Sequence, residues 1–314
     1  MQRLSSPFTE LTTVIPQLHS YFLVSEGIID QATINHGKLS WHHVDGVGST
    51  AFNDALLLEG AVYQLAREHF RREPYYVDLL ELLHETRHPA YFRNPVPVST
   101  TELRFVFFHK LMPGWDSTLT NFLSISEFSK KLPRLILYAV LTHRGAPSQR
   151  AINIYKSAIY SFYLPMALSM IICGFPVESA SPMDLNYYDL ALDILLPLGE
   201  YAHIQREYFE SRTGNLAKGR SWCYDLVRST GSPEQLATLD SHFGKEDTTS
   251  QLHIRSVFAE AGIDLRYSLY AEGAYSRIGA LIDALPELRS PSGDAVLGRA
   301  IFRKLLEDLH SRTD

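Results

Sequence analysis

"YYDLALDILLPLGEYAHIQREYFE", residues 187 to 210, decides the fold. Its apolar residues recur at three and four spacing, which places them on one face of a helix. The same spacing returns on either side in "NDALLLEGAVYQLAREHF" (53–70), "YYVDLLELLHE" (75–85), "SQLHIRSVFAEAG" (250–262) and "DAVLGRAIFRKLLEDLH" (294–310). Asn53 and Asp54, Ser232 before Pro233, and Ser290 before Pro291 carry helix-start chemistry, since short polar side chains cap free amides and proline suits the first turn. Alternating strand patterns are scarce, and no repeat or low-complexity tract breaks the series. The expectation is an all-α bundle.

Composition narrows the function. At 314 residues with 45% hydrophobic content the chain can bury a sizeable core, as one large domain or two ordinary ones. A formal net charge of -6 supplies no basic field for nucleic acid. Cys173 and Cys223 have neither metal-type spacing nor the count of a disulfide framework, and the N-terminus lacks a signal pattern, so a cytoplasmic location is expected. "SAIYSFYLPMALSMIICGF" (157–175) is long enough to cross a bilayer, yet it contains Pro165 and several hydroxyls. It is read as a buried helix, with no membrane span. His42 and His43 are adjacent, on different helical faces, and are not read as a zinc site.

Two apolar helices end in acid. In "YFLVSEGIID" (21–30) Glu26 and Asp30 stand four apart, and in the opening stretch Glu207 and Glu210 stand three apart, so each pair shares a face. Facing carboxylates in a helical bundle suit Mg²⁺, which takes one or two of them and completes its shell with water and phosphate oxygens. The ligand this suggests is a diphosphate. The plainer alternatives are a solvated helix end for Glu26 and Asp30, and surface pairing of Glu207 and Glu210 with Arg206 or Arg212.

Residues 87 to 150 depart from their surroundings, with nine Lys/Arg against three Asp/Glu, where the rest of the chain has 20 against 32. The stretch is also rich in proline, aromatic and β-branched residues. It reads either as an irregular surface insertion or as the product of a badly spliced message.

"YFLVSEGIIDQATINHGKLSWHHVDGVGSTAFNDALLLEGAVYQL", "PYYVDLLELL", "YKSAIYSFYLPMALSM", "GEYAHIQREYFE", "RSWCYDLV" and "YSRIGALI" resemble, in order, successive blocks of the farnesyl diphosphate synthases. The resemblance covers about residues 14–85 and 151–310. It implies a single isoprenoid-synthase-like helical bundle over 1–314, divergent at about 87–150 and missing the usual first helices. It further implies an enzyme of isoprenoid or terpenoid biosynthesis that uses Mg²⁺ to ionise an allylic prenyl diphosphate, for prenyl transfer or terpene formation.

By the same resemblance Glu26, Gly27, Ile28, Ile29 and Asp30 occupy the first Asp-rich motif, and Arg206, Glu207, Tyr208, Phe209 and Glu210 the second. Glu26, Asp30, Glu207 and Glu210 are then the metal ligands, holding fewer ions than is usual in the family. Lys156 and Gln205 match the functional lysine and glutamine. Lys156 and Arg206 are the diphosphate contacts, and Arg206 can neutralise an oxygen but cannot bind a metal. Asn35 and His36 replace an arginine pair, and Arg212 and Lys218 are stand-ins in a shortened loop. Phe105 and Phe108 fall near the central helix's usual glutamine and aspartate. The element that holds isopentenyl diphosphate would precede Met1. Tyr21 and Phe22, one turn before Glu26, either floor the substrate cavity and limit chain length or simply pack the core.

The partners implied are a prenyl diphosphate and a second chain, as a homodimer or a heterodimer with a related synthase. A non-catalytic subunit of an active synthase is the competing reading. An ordinary synthase from a truncated, mis-spliced message explains the short start and the odd centre, but not "SEGIID" or "REYFE", which lie inside well-matched helices.

Overall fold

The computed structural model describes residues 7–29, 33–35, 38–87, 154–177, 186–213, 221–245 and 247–312, apart from the side chains of 26, 29, 34, 35, 85–87, 154–157 and 213. Among them are ten α-helices, one π-helix and two strand pairs of two residues each. The architecture is all-α, as the periodicity requires. The chain divides into two compact units. The first comprises Met1–Thr86, Tyr163–Leu192 and Leu285–Ile301; the second comprises Arg87–Phe162, Asp193–Ala284 and Phe302–Asp314.

In the first unit α1 (Pro7–Ile29) packs along α2 (Ala51–Phe70). Leu11, Val14, Leu18 and Tyr21 of α1, stepping by three and four, and Ala55, Val62, Ala66 and Phe70 of α2, stepping by seven and four, are all buried. Glu10 of α1 ties to His69 Nδ1 of α2 at 2.8 Å. Between these helices run β1 (Ile34–Asn35), antiparallel to β2 (Lys38–Leu39), and two 3₁₀ turns, Trp41–His43 and Gly48–Thr50. Helix α2 starts at Ala51, earlier than the expected Asn53, because the second 3₁₀ turn runs directly into it. Helix α3 (Tyr76–Arg87), up to Thr86, and α4 (Leu164–Ile172) belong to the same unit.

The chain between Leu285 and Gly298 corrects an expectation. Ser290 and Pro291 start no helix. Leu288–Arg289 (β3) pairs instead with Val296–Leu297 (β4), and Ser290 Oγ accepts from Ala295 N at 3.1 Å. Gly293 closes the turn at φ +79°, a conformation that suits glycine.

The second unit holds most of the π-helix Ile154–Tyr163 and the body of α5 (Tyr187–Thr213). It also holds α6 (Trp222–Thr230), α7 (Pro233–His242), α8 (Thr248–Glu260), α9 (Ile263–Ala284) and most of α10 (Arg299–His310). Ser232 opens α7 with a reciprocal capping box to Gln235, as its position before Pro233 requires. Asp247 caps α8 by accepting from Ser250 N at 2.8 Å. The apolar run 157–175 is cut into the end of the π-helix and the short α4. No described helix is long and apolar enough to cross a membrane.

Candidate functional site

Helix α5 delivers the second acidic motif. Asn186 starts it, its side-chain oxygen accepting from Tyr188 N at 3.0 Å and Asp189 N at 3.2 Å. Midway, Gly199 meets the π-helix so closely that a Cβ there would stand 2.2 Å from Ala158 Cα. Only a residue without a side chain fits. That contact fixes against α5 the backbone of the π-helix, on which Lys156 lies; the Lys156 side chain is outside the described residues.

Below Gly199 the polar side chains of α5 form one network. His203, 5% exposed, donates from Nε2 to Glu207 Oε1 at 3.1 Å, and its Nδ1 accepts from Arg206 Nη2 at 3.0 Å. Glu207 Oε2 accepts from Trp222 N at 2.8 Å. Trp222 is the first residue of α6, and Ser221 before it accepts from Tyr224 N. Together Glu207 and Ser221 satisfy two of the amides a helix start leaves open, and a carboxylate there also suits the helix dipole. Arg206 is half exposed, with Nε 3.9 Å from Oε1 of the exposed Glu210. That pair matches the surface-pairing alternative, and Glu210 faces solvent.

These residues do not fit a magnesium ion at the second motif. Both oxygens of Glu207 are engaged by N–H donors, an arginine stands where the leading ligand would be, and Glu210 leans toward that arginine. Among the described residues no group of three or more His, Cys, Asp or Glu converges for a metal.

Gln205 is 4% exposed and its Nε2 donates to Leu309 O at 3.0 Å, in the last turn of α10. It fastens a helix end. Around it lies an aromatic cluster in which Tyr208 stacks on Tyr267 with ring centroids 3.8 Å apart, and Trp222 and Tyr270 close the sides. Burial pushes the Tyr201, Tyr267 and Tyr270 phenols above the usual tyrosine range. Cys223, beneath them, is pushed up to about 11 by burial, and its Sγ donates to Ser211 Oγ. It is a packing thiol.

The first motif ends α1. Tyr21 and Phe22 are 1% and 7% exposed, with ring centroids 5.1 Å apart. A cavity of about 360 Å³ nearby in the same unit is lined by Val24, Trp41, Asp54, Leu57 and Leu58, and Trp41 Nε1 donates to Asp54 Oδ2 at 2.7 Å. The Glu26 side chain, Asp30, His36, Lys218, Phe105 and Phe108 lie outside the described residues, as does the side chain of Asn35. Gly27, in place of the motif's second aspartate, is buried. A Cβ on it would stand 3.7 Å from Ser40 Oγ and 3.8 Å from His42 Nδ1, two enclosed polar atoms with no hydrogen-bond partner among the described residues.

Sequence reasoning missed His203 and Ser40, and weighed His42 only as a zinc ligand. His203 was legible: it stands three before Arg206 and four before Glu207, on one face. Ser40 and His42 approach Gly27 only through the loop between α1 and α2, which no local spacing reveals.

The polyprenyl synthetase family model matches residues 3–90. A farnesyl pyrophosphate synthase of Ganoderma lucidum is 32% identical over 94% of this chain and 75% of its own length. That of Candida albicans is 32% identical over 92% and 75%. Coverage this wide runs through most of residues 87–150 as well. Among solved structures, a T. brucei farnesyl diphosphate synthase complexed with bisphosphonate shares the fold, with a TM-score of 0.64 at 20% identity over 96% of this chain and 77% of that one. With the motif blocks in order on an all-α frame, the chain belongs to the farnesyl pyrophosphate synthase family.

Proposed function

We propose that the protein ionises an allylic prenyl diphosphate in isoprenoid or terpenoid biosynthesis, passing the prenyl group to an acceptor or releasing a terpene. The observation that carries this reading is the family membership itself, at 32% identity across 94% of the chain. Carbon–oxygen cleavage needs the departing diphosphate neutralised and the carbocation kept from water. Lys156 acts as a point charge on the diphosphate and Arg206 adds a guanidinium. Tyr21 and Phe22 keep the reacting end dry and stop chain growth by bulk, and their rings suit a cation. Gln205 holds α10 in place from its bond to the Leu309 carbonyl.

Magnesium belongs to the proposal only at Glu26 and Asp30; when bound, it supplies Lewis-acid stabilisation of the leaving diphosphate. The chain acts as one isoprenoid-synthase-like domain, in the cytoplasm, and pairs with a second copy or a related synthase. The exposed Phe52, Leu56 and Leu57 of α2 support that pairing, since such apolar patches mark interfaces.

The test is product analysis. Purified protein incubated with geranyl or farnesyl diphosphate, with and without isopentenyl diphosphate, is expected to release pyrophosphate and a prenylated or cyclised hydrocarbon product. Intact substrate recovered from folded protein under all conditions contradicts the proposal.

A further inference from the structure

His203 has no part in the reaction just proposed, yet it is buried on α5 and held from both sides. Its ring is 5% exposed and bonds through both nitrogens, accepting from Arg206 at Nδ1 and donating to Glu207 from Nε2. A single neutral tautomer, with the proton on Nε2, does both. The ring therefore links a guanidinium and a carboxylate that stand on adjacent, diverging positions of the helix. With His203 in place, the carboxylate turns to the start of α6, where Trp222 N donates to it at 2.8 Å. The guanidinium stays half exposed, donating to His203 and with a Glu210 oxygen at 3.9 Å.

We propose that His203 is the positioning residue of a second motif that works without a metal ion: it commits Glu207 to capping α6 and keeps Arg206 as a fixed cation for the diphosphate. This rests on the reading of Arg206 as a diphosphate contact. It separates the chain's two acidic motifs by chemistry, with the first open to a metal and the second a protein-borne charge.

The experiment uses the full chain with Mn²⁺ and inorganic pyrophosphate as probes. Bound manganese is counted by electron paramagnetic resonance, pyrophosphate affinity is measured by calorimetry, and melting by differential scanning calorimetry. Glu207→Gln is expected to leave the number of manganese ions per chain unchanged while Tm falls by roughly 5 °C. His203→Leu is expected to weaken pyrophosphate about tenfold, a 1.4 kcal/mol effect. His203→Gln should recover most of that affinity, because an amide also accepts on one side and donates on the other.

Loss of one manganese ion in the Glu207→Gln chain overturns the proposal. So does a His203→Leu chain that melts earlier but binds pyrophosphate as tightly as before, or a His203→Gln chain as weak as the leucine variant. A native chain that takes up neither probe overturns the proposed function itself, a pattern distinct from either of these.

Discussion

The ends of α1 and α5 descend from the same kind of acidic motif, and they have diverged in opposite directions. On α5 the buried polar side chains His203, Gln205 and Glu207 each have a protein partner, among them an imidazole, a helix start and a backbone carbonyl. On α1 the motif has lost bulk at Gly27, and two enclosed polar atoms, Ser40 Oγ and His42 Nδ1, face the place where a side chain would begin. Buried polar groups are ordinarily satisfied, so among the described residues the first end leaves two polar partners open, whereas at the second Glu207 is committed to protein donors. A carboxylate in a family motif is a ligand only if its oxygens are still free to turn toward one.

The comparison breaks most severely at Gly199. Replacing it with valine drives a side chain into the Ala158 backbone, which has no flexible end to give way. Overpacking of this kind costs about 3 kcal/mol and should lower Tm by roughly 10 °C in scanning calorimetry. Native-like melting would mean that the π-helix does not depend on this crossing.

Restoring the lost aspartate sharpens the contrast. In Gly27→Asp the new Cβ meets Ser40 and His42 at ordinary contact distance, but the carboxylate enters a buried position, so without a divalent ion stability should fall by about 1 to 3 kcal/mol. Divalent-ion affinity, read by manganese titration, should rise, because a third carboxylate joins Glu26 and Asp30. The same variant should gain a hydrogen bond from Ser40 Oγ. An unchanged affinity would place the Gly27 face away from the metal.

The smallest effect concerns pH. Burial, and then the neighbouring His43, hold His42 below the ordinary histidine value. The unfolded chain therefore binds more protons there than the folded one, and stability is lost as pH falls through about 6.5. His42→Gln should flatten this part of the Tm–pH curve and leave the neutral-pH Tm in place. A slope unaltered by the substitution would assign the titration to another group.

Much of the frame was legible because helix faces announce themselves. Residues 187–210 read as a helix from spacing alone, and Ser232 before Pro233 announced its capping box. The segment from 294 to 298 misled, since its apolar residues fit a helix until Pro291 and Gly293 are seen to turn the chain into a strand pair. At the site, the ordered blocks assigned Glu207 and Glu210 to the second motif as metal ligands, although Arg206 at its leading position cannot bind a metal. What Glu207 does instead was hidden, because its partner Trp222 lies fifteen residues on and is reached only when α6 folds back. The contact made by Gln205 was hidden for the same reason: its partner, the Leu309 carbonyl, is 104 residues away.

The central claim is that the first motif still holds a magnesium diphosphate. It is tested most directly by calorimetric titration of the full chain with a non-hydrolysable farnesyl diphosphate analogue, with and without Mg²⁺, beside a Glu26→Ala, Asp30→Ala double variant. The account predicts magnesium-dependent binding that the double variant weakens at least about a hundredfold, or 2.7 kcal/mol. Binding that ignores both magnesium and the two carboxylates, or none at all by folded protein, would contradict it.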